Sequence, residues 1–272
     1  MADKSEVVPP ASSPEYIDHL IALCQREGIG TILPIYSKEI VLIARHVARF
    51  AAAGVATLLP PPATISLAND KRGMSGFVHN LGIPVPEIYT GDRWPGYGLI
   101  GKPNSSSGSS GVCHIEDERD WDYWRGKTSD YVFQRLARGI EYTVDVLCDR
   151  SSQCVVCSPR SRLQVKAGQS IRGRTESRPL LETAARRICS AAGLIGPGNL
   201  QFFEDETGIN FIELNPRFAA GGLMLTVHAG ANIPLLAVQL AQGEVVKTVG
   251  AVPGIGMIRY WEELFISDRA QS

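Results

Sequence analysis

The sequence predicts an α/β fold, and two patterns support this prediction. Between residues 14 and 59, apolar residues at helical spacing alternate with short apolar runs in the order helix, strand, helix, strand, which is typical of parallel β-α-β winding. Between residues 198 and 217, two strand-like runs flank the polar, glycine-ended segment 204–208, which predicts an antiparallel hairpin. A chain of 272 residues can hold one large or two modest domains around a sizeable core.

The overall composition argues against several classes of protein. The formal net charge of −1 provides no general attraction to nucleic acid or to a membrane surface. No apolar run approaches the roughly 20 residues that a membrane-spanning helix needs. The first residues, M-A-D-K-S-E, are polar and lack the apolar core of a signal peptide. We therefore expect a cytoplasmic protein with no nucleic-acid partner and no membrane partner.

The first quarter of the chain provides the helix-strand alternation. Residues 1–13 are predicted to form a flexible tail. The predicted elements that follow are a helix at 14–27 ended by Gly28, a strand at 31–35, a helix at 38–53 ended by Gly54, and a strand at 55–59. Three consecutive prolines at 60–62 then break the chain.

The middle of the chain combines further elements with a loop of glycine and serine at 104–111. The predicted elements are helices at 71–80, 116–124 and 179–192, and strands at 99–103, 131–136 and 139–146. Small side chains in the loop allow backbone N–H groups to approach phosphate oxygens closely. Taken alone, such a run is more often a linker, and it lacks the G-K-[ST] of a Walker loop.

Residues 158–178 carry six basic side chains against one acid, with glycines at 168 and 173. We interpret this stretch as a mobile lid that closes over a nucleotide and an anionic second substrate. A solvated loop and a nucleic-acid patch are the alternatives. The stretch contains no aromatic residue for base stacking, which argues against single-strand binding.

The six cysteines include the pair Cys154 and Cys157, which has the spacing of a zinc knuckle. This pair lies in an apolar, β-branched run that predicts a strand, and strand positions three apart face opposite ways. No second pair of cysteines or histidines lies nearby in the sequence. We therefore expect no zinc site here.

The predicted hairpin carries the main candidate site. Side chains alternate along a strand, so Glu213 and Asn215 share one face of the second strand, and Gln201 lies on the first strand. If the strands pair, these three oxygen-bearing side chains converge, with Arg217 just beyond them. One carboxylate with amide oxygens suits Mg²⁺ that already carries phosphates. On spacing alone, a polar solvent-facing side of an ordinary hairpin is about equally consistent.

The sequence motif of this hairpin, Q-F-F followed by F-I-E-L-N-P-R, resembles the metal-binding hairpin of the ATP-grasp superfamily. Within that superfamily it is most similar to the carbamoyl-phosphate-synthase-like branch. The resemblance implies an ATP-grasp fold, with ATP held between two lobes, preceded by a partial Rossmann-like domain. It divides the chain into a partial α/β domain at 14–69, a small lobe at 70–136 that includes the phosphate-covering loop, and a main lobe at 137–266.

The resemblance also implies roles for individual residues. Glu213 would bridge two Mg²⁺ ions, with Mn²⁺ as an alternative, while Gln201 and Asn215 would each hold one ion. Lys102 and Arg217 would be the catalytic cations, and Arg217 would anchor an acyl phosphate. The implied nucleotide contacts are Lys71, Lys102, Ser107 and Gly108 to the phosphates, Gln134, Arg135 and Leu136 around the adenine, and Glu141 to the ribose.

The implied activity is an ADP-forming ligase that activates a small carboxylate as an acyl phosphate and transfers it to an amine or another nucleophile. Three features depart from the family pattern: Ala220 replaces a second arginine, Arg135 stands near a usual glutamate, and a preceding half-domain is missing. A degenerate ATP-binding protein therefore stays open. So does a homodimer, or a subunit whose partner chain supplies the missing half-domain.

Overall fold

The computed structural model describes residues 3–105, 111–127, 130–166, 168–260, 262, 263 and 265. Its first unit confirms the predicted alternation of helices and strands. The elements are α1 (Tyr16–Glu27), β1 (Thr31–Ile32), α2 (Ser37–Ala44), α3 (Val47–Ala52) and β2 (Ala56–Thr57). Strands β1 and β2 pair in parallel, and Gly28 ends α1 in the left-handed conformation with φ of 65°.

Three details of this unit differ from the prediction. The strands are shorter, and Pro34, which has no N–H for a ladder, follows β1 closely. The helix predicted at 38–53 is two helices, because His46 adopts φ −120° and ψ 15° and its ring lies 2.9 Å from the carbonyl oxygen of Leu42. The prolines begin a helix instead of only breaking the chain: Pro62 is the first residue of α4 (Pro62–Asn69), where its missing N–H costs nothing.

The next unit is a small antiparallel sheet beside a helix. Its elements are α5 (Lys71–Asn80), β3 (Leu99–Pro103), β4 (Cys113–Ile115), α6 (Glu118–Arg125) and β5 (Tyr131–Arg135). The strand order is β4-β3-β5. Trp121 of α6 is buried against the rings of Tyr89 and Phe133 and forms part of the core of this unit.

The largest unit is a six-stranded antiparallel sheet with the strand order β10-β9-β6-β7-β8-β11. Its strands and helices are β6 (Ile140–Cys148), β7 (Cys154–Lys166), β8 (Gln169–Thr175), α7 (Pro179–Ala192), β9 (Gly196–Asp205), β10 (Gly208–Asn215), α8 (Leu223–His228), α9 (Ile233–Ala241) and β11 (Gly256–Ile258). Helix α7 packs with one set of sheet residues, including Val144 and Val146, and α9 packs with another that includes Leu147 and Val156. No helix among the described residues is long and apolar enough to cross a membrane.

The interpretation of residues 158–178 as a mobile lid is wrong. Most of this stretch forms β7 and β8, which pair with each other, while β7 also pairs with β6. Its six basic residues and two glycines favoured a mobile segment, whereas Arg160 and Ser161 are almost fully buried in the sheet. The backbone of β7 and β8 is therefore held in a ladder of hydrogen bonds.

Candidate functional site

The hairpin of β9 and β10 brings the predicted metal ligands together. Glu213 lies directly across the strand pair from Gln201, and Asn215 lies across from Asn199. The register shifts between Phe211 and Glu213, which marks a β-bulge. All three predicted ligands line one cavity of about 540 Å³.

Side chains from five other segments line the same cavity. They are Lys71 at the start of α5, Lys102 on β3, Glu141 and Thr143 on β6, Arg160 and Arg162 on β7, and Arg217 after β10. The lining thus includes five cationic side chains and two carboxylates. This excess of positive charge suits a polyanionic ligand.

Two of the five cations that line the cavity are held in ion pairs. Arg160 pairs with Asp145 and Arg162 pairs with Glu141. The remaining cations, Lys71, Lys102 and Arg217, surround the single carboxylate of Glu213, whose charge acts on each of them. Glu213 is therefore the acid that all three cations share, and the charge of Asp130 also acts on Lys71.

Burial affects the protonation of these cations. Lys102 is 6 % exposed, and burial lowers its pKa to about 8, against the opposing effect of Glu213. Burial likewise lowers the pKa of Lys71 and of Arg217, again opposed by Glu213. A phosphate group in this cavity would favour the charged form of each of these three side chains.

Lys71 is positioned by the cap of α5. The carboxylate of Asp70 accepts a hydrogen bond from the Gly73 N–H at 3.0 Å and another from Asn104 Nδ2 at 2.9 Å. The Lys71 Nζ lies 3.3 Å from the carbonyl oxygen of Asn104, to which it donates. Because Asn104 begins the glycine-serine loop, these bonds tie the start of α5 to that loop.

A chain of hydrogen bonds orders the end of the hairpin. Asn215 Nδ2 donates to Glu213 Oε1 at 2.9 Å, and Arg217 Nη2 donates to Asn215 Oδ1 at 3.4 Å. Asn199 Nδ2 donates to the carbonyl oxygen of Arg217 at 3.0 Å, which fixes the backbone of that residue. A carboxylate beside amide oxygens is a hard donor set, so these residues fit Mg²⁺.

Arg160 is a cavity residue that the sequence did not single out. Its Nε and Nη2 donate to the two carboxylate oxygens of Asp145 at 2.8 and 3.2 Å, and Thr226 Oγ1 donates to the same carboxylate at 2.6 Å. Gly222 lies against the guanidinium, and a Cβ there would collide with it. Arg160 and Arg162 are two positions apart, so recognising β7 as a strand would have placed both side chains on one face.

Glu141 faces the cavity as predicted but is already engaged. Its carboxylate forms an ion pair with Arg162. Burial raises the pKa of Glu141, and the charge of Arg162 opposes that rise. A ribose at this position would have to share Glu141 with the guanidinium.

The structure does not bring the predicted adenine contacts to the described lining of the cavity. Gln134 is buried, the Arg135 N–H donates to the Glu87 carbonyl at 2.8 Å, and the Leu136 N–H donates to the Gly98 carbonyl at 2.9 Å. Ser107 and Gly108 lie outside the described residues. The roles of these five residues stay predictions.

Comparison with models of protein families shows to which family the chain belongs. The family model described as ATP-grasp in the biosynthetic pathway with Ter operon matches residues 127–263, half of the chain. The chain belongs to the ATP-grasp family. A second model, the PylC-like N-terminal domain, matches residues 1–58.

Curated relatives confirm the predicted likeness of this ATP-grasp chain to carbamoyl phosphate synthase. The large chain of that enzyme from Agathobacter rectalis is 24% identical over 225 residues, which is 74% of this chain and 21% of the relative. The large chain from Rubrobacter xylanophilus is 23% identical over 261 residues, 87% of this chain and 24% of the relative. The chain therefore spans about a fifth to a quarter of the length of these relatives.

Solved structures confirm the predicted ATP-grasp fold. A biotin carboxylase–βγ-ATP complex from Campylobacter jejuni has a TM-score of 0.70 at 20% identity, covering 86% of this chain and 60% of that one. The biotin carboxylase domain of the Hydrogenobacter thermophilus 2-oxoglutarate carboxylase, in complex with MgADP and bicarbonate, has a TM-score of 0.69 at 17% identity, with 89% and 60% covered. An L-amino acid ligase from Bacillus licheniformis has a TM-score of 0.68 at 16% identity, with 88% and 63% covered.

Proposed function

We propose that this ATP-grasp protein is an ATP-dependent, ADP-forming ligase that joins a small carboxylate to an amine or another nucleophile through an acyl phosphate. One observation carries the proposal. The predicted metal ligands Gln201, Glu213 and Asn215 line one cavity together with Lys71, Lys102 and Arg217, which come from other segments of the chain. This combination of hard oxygen donors and cations suits a metal-bound polyphosphate.

The balance of charge supports entry of magnesium together with the nucleotide. Lys71, Lys102 and Arg217 around Glu213 would repel a free divalent ion, but they would attract the phosphates of Mg²⁺-ATP. Mg²⁺ is rarely bound by protein ligands alone and is usually shared with phosphates. Glu213 lies across the strand pair from Gln201 and shares its strand with Asn215, so these three side chains would hold the metal, with two ions as the number we expect. Mn²⁺, which also accepts oxygen ligands, is the alternative metal.

In this reaction an oxygen of the substrate carboxylate attacks the γ-phosphorus, the bond to the β-phosphate oxygen breaks, and ADP leaves. The nucleophile then attacks the acyl carbon and releases phosphate. Lys102, which is protonated below about pH 8, and Lys71 neutralise charge on the phosphates. Arg217 holds the acyl phosphate. Positioning and electrostatics dominate such a transfer, so no strong general base is required among the cavity residues.

Arg160 is our candidate for binding the substrate carboxylate. It is a cation that lines the cavity, and Asp145 fixes its orientation through two hydrogen bonds. A guanidinium has five N–H donors, of which Asp145 engages those at Nε and Nη2. The remaining donors suit planar recognition of a carboxylate.

A second candidate function is nucleotide binding without chemistry, or catalysis only as a subunit of a larger enzyme. The ion pair of Arg162 with Glu141, and the internal bonds of the Arg135 and Leu136 N–H groups, occupy groups expected to contact a nucleoside. The chain also covers only 21% of the first curated relative. A homodimer or a partner chain that completes the site would fit these observations.

The experiment measures ADP release from Mg²⁺-ATP with a panel of amino acids and other small carboxylates, with and without amines. We expect ADP to form only with particular carboxylates and to disappear in Glu213→Gln. Glu206→Gln, in the exposed turn of the same hairpin, is the matched control and should keep the activity. ATP binding with no ADP release on any mixture would move the assignment to the non-catalytic alternative.

A further inference from the structure

Three cysteines from different elements meet at the opposite end of β6 from Glu141. Cys148 ends β6, Cys154 begins β7 and Cys189 lies in the last turn of α7. Their sulfur atoms all lie within 4.8 Å of one another, and the Cys148 and Cys154 sulfurs are 3.2 Å apart. All three side chains are buried, and Cys154 is the most exposed at 8 %.

A β-bulge creates this cluster. It also overturns the argument that Cys154 and Cys157 must face opposite sides of the sheet because they are three positions apart on a strand. Leu147 pairs with Val156, yet Cys148 pairs with Cys154, so Val155 is an extra residue in β7. Consequently Cys154 and Cys157 pack into the same core cluster instead of facing opposite ways. Cys157 is nevertheless outside the sulfur triad, and the other two members come from β6 and α7.

We propose that Cys148, Cys154 and Cys189 form a binding site for a thiophilic divalent metal ion, with Zn²⁺ as the fitting occupant. The spacing is suitable: with a metal–sulfur distance of about 2.3 Å, sulfurs around one ion lie roughly 3.8–4.0 Å apart. The Cys148 and Cys154 sulfurs are 3.2 Å apart, and all three sulfurs lie within 4.8 Å of one another. The proposal is independent of the ligase assignment, because the triad lies outside the ATP cavity.

The surrounding charge favours a divalent ion. Three thiolates and one divalent ion leave a single negative charge, and the Arg186 guanidinium lies close by, donating from Nη1 to the Cys154 carbonyl at 2.6 Å. A monovalent ion would leave two negative charges in a buried place, which is unfavourable. Binding releases the thiol protons, so the affinity should fall as the pH is lowered.

The coordination is completed from the side of Cys154. Among the described residues, no carboxylate, imidazole or fourth thiol belongs to the group. Zinc with three protein ligands takes its fourth ligand from solvent. Cys154, the most exposed of the three at 8 %, lies beside the turn at 149–153, which is the side from which we infer that the ion and a water molecule enter. A bound ion would tie α7 to β6 and β7.

The test uses Co²⁺ as a spectroscopic substitute on the full chain in the presence of a non-thiol reductant. We expect about one equivalent to produce a thiolate-to-cobalt charge-transfer band that Zn²⁺ removes, and Zn²⁺ to raise the melting temperature. Cys148→Ser, Cys154→Ser and Cys189→Ser should each abolish both signals, and so should the corresponding alanine variants Cys148→Ala, Cys154→Ala and Cys189→Ala. Circular dichroism of each metal-free variant establishes that it is folded.

Matched controls are Cys24→Ser, Cys113→Ser and Cys157→Ser, which replace buried cysteines outside the triad. Glu213→Gln removes the one carboxylate among the predicted metal ligands of the charged cavity, and all four variants should keep the thiolate band. Absence of the band in the wild-type protein would overturn the proposal, and so would its loss in Cys157→Ser. A Cys148–Cys154 disulfide, found by peptide mass after purification without reductant, together with no metal binding after reduction, would assign the cluster to thiol oxidation instead.

Discussion

The two ends of strand β6 show contrasting chemistry. At one end, Glu141 and Thr143 line the charged cavity, and Asp145 forms a buried ion pair with Arg160. At the other end, Cys148 meets two further sulfurs within an apolar core. The change occurs within one strand of 9 residues. A single strand therefore supports both a site held by ion pairs and a site held by sulfur contacts.

The two ends differ in the free energy that it costs to bury their side chains when no ligand is bound. Charged side chains lose hydration on burial, so the cavity depends on correct pairing of its cations with its carboxylates. Neutral thiols behave as small apolar side chains and need no partner until a metal binds. The charged end should consequently be the more sensitive of the two to substitution.

The largest expected effect tests this sensitivity directly. Arg160→Gln leaves Asp145 buried and unpaired, so we expect the free energy of unfolding to fall by about 3–5 kcal/mol. Cys189→Ala in the metal-free protein leaves no charge behind, and we expect a loss of about 1–2 kcal/mol. Urea unfolding of both variants makes the comparison. Equal losses would contradict the contrast between the two ends.

Lys102→Met should weaken ATP binding about 100-fold, or about 3 kcal/mol, because a buried charge-assisted contact to phosphate is lost. Isothermal titration calorimetry measures the change. Lys127→Met, an exposed lysine after α6, is the control and should bind ATP as the wild-type protein does. Similar affinities for the two variants would exclude Lys102 from the nucleotide site.

The same lysine should link stability to pH. The pKa of Lys102 is about 8 in the folded protein and about 10.4 when unfolded, so burial of its charge destabilises the fold below pH 8. We expect Lys102→Met to be more stable than the wild type at pH 7 by on the order of 2–3 kcal/mol. This advantage should shrink as the pH rises from 8 towards 10. Urea titrations across that range measure it, and an advantage that grows with pH would be inconsistent with a buried charged lysine.

The smallest effect concerns the backbone beside Arg160. Gly222 has φ of 155°, and a Cβ there would meet the Arg160 guanidinium, so Gly222→Ala should cost about 1–3 kcal/mol in unfolding free energy. Gly230 has φ of 103° with no atom within 4 Å of a Cβ, so Gly230→Ala isolates the backbone strain. Thermal unfolding should give a lower melting temperature for Gly222→Ala than for Gly230→Ala. A lower melting temperature for Gly230→Ala would mean that the Arg160 guanidinium moves aside and its contact with residue 222 adds no cost.

The sequence predicts features that are contiguous along the chain. The helix at 179–192 has the expected bounds because its apolar residues recur at helical spacing and Gly193 ends it with φ of 67°. The hairpin of β9 and β10 was predictable because the polar, glycine-ended segment 204–208 separates two strand-like runs that are adjacent in the sequence. Arg217 and Lys71 likewise line the cavity with them.

Features made by distant segments could not be read in the same way. The charges of 158–178 suggested a loop, because only cross-strand partners such as Asp145 reveal that Arg160 is buried. The sulfur triad depends on a bulge at Val155 and on the packing of α7, and neither has a local signal. The ion pair of Arg162 with Glu141 joins residues 21 positions apart.

The most direct measurement of the central claim is calorimetric titration of ATP with and without Mg²⁺, for the wild-type protein and for Glu213→Gln. We predict that the wild type binds ATP tightly only with Mg²⁺ and that Glu213→Gln loses this dependence on the metal. Gln201 and Asn215 remain in the variant, so the loss isolates the carboxylate. Mg²⁺-dependent binding that is unchanged in Glu213→Gln would contradict the assignment of the charged end of β6 as the nucleotide site.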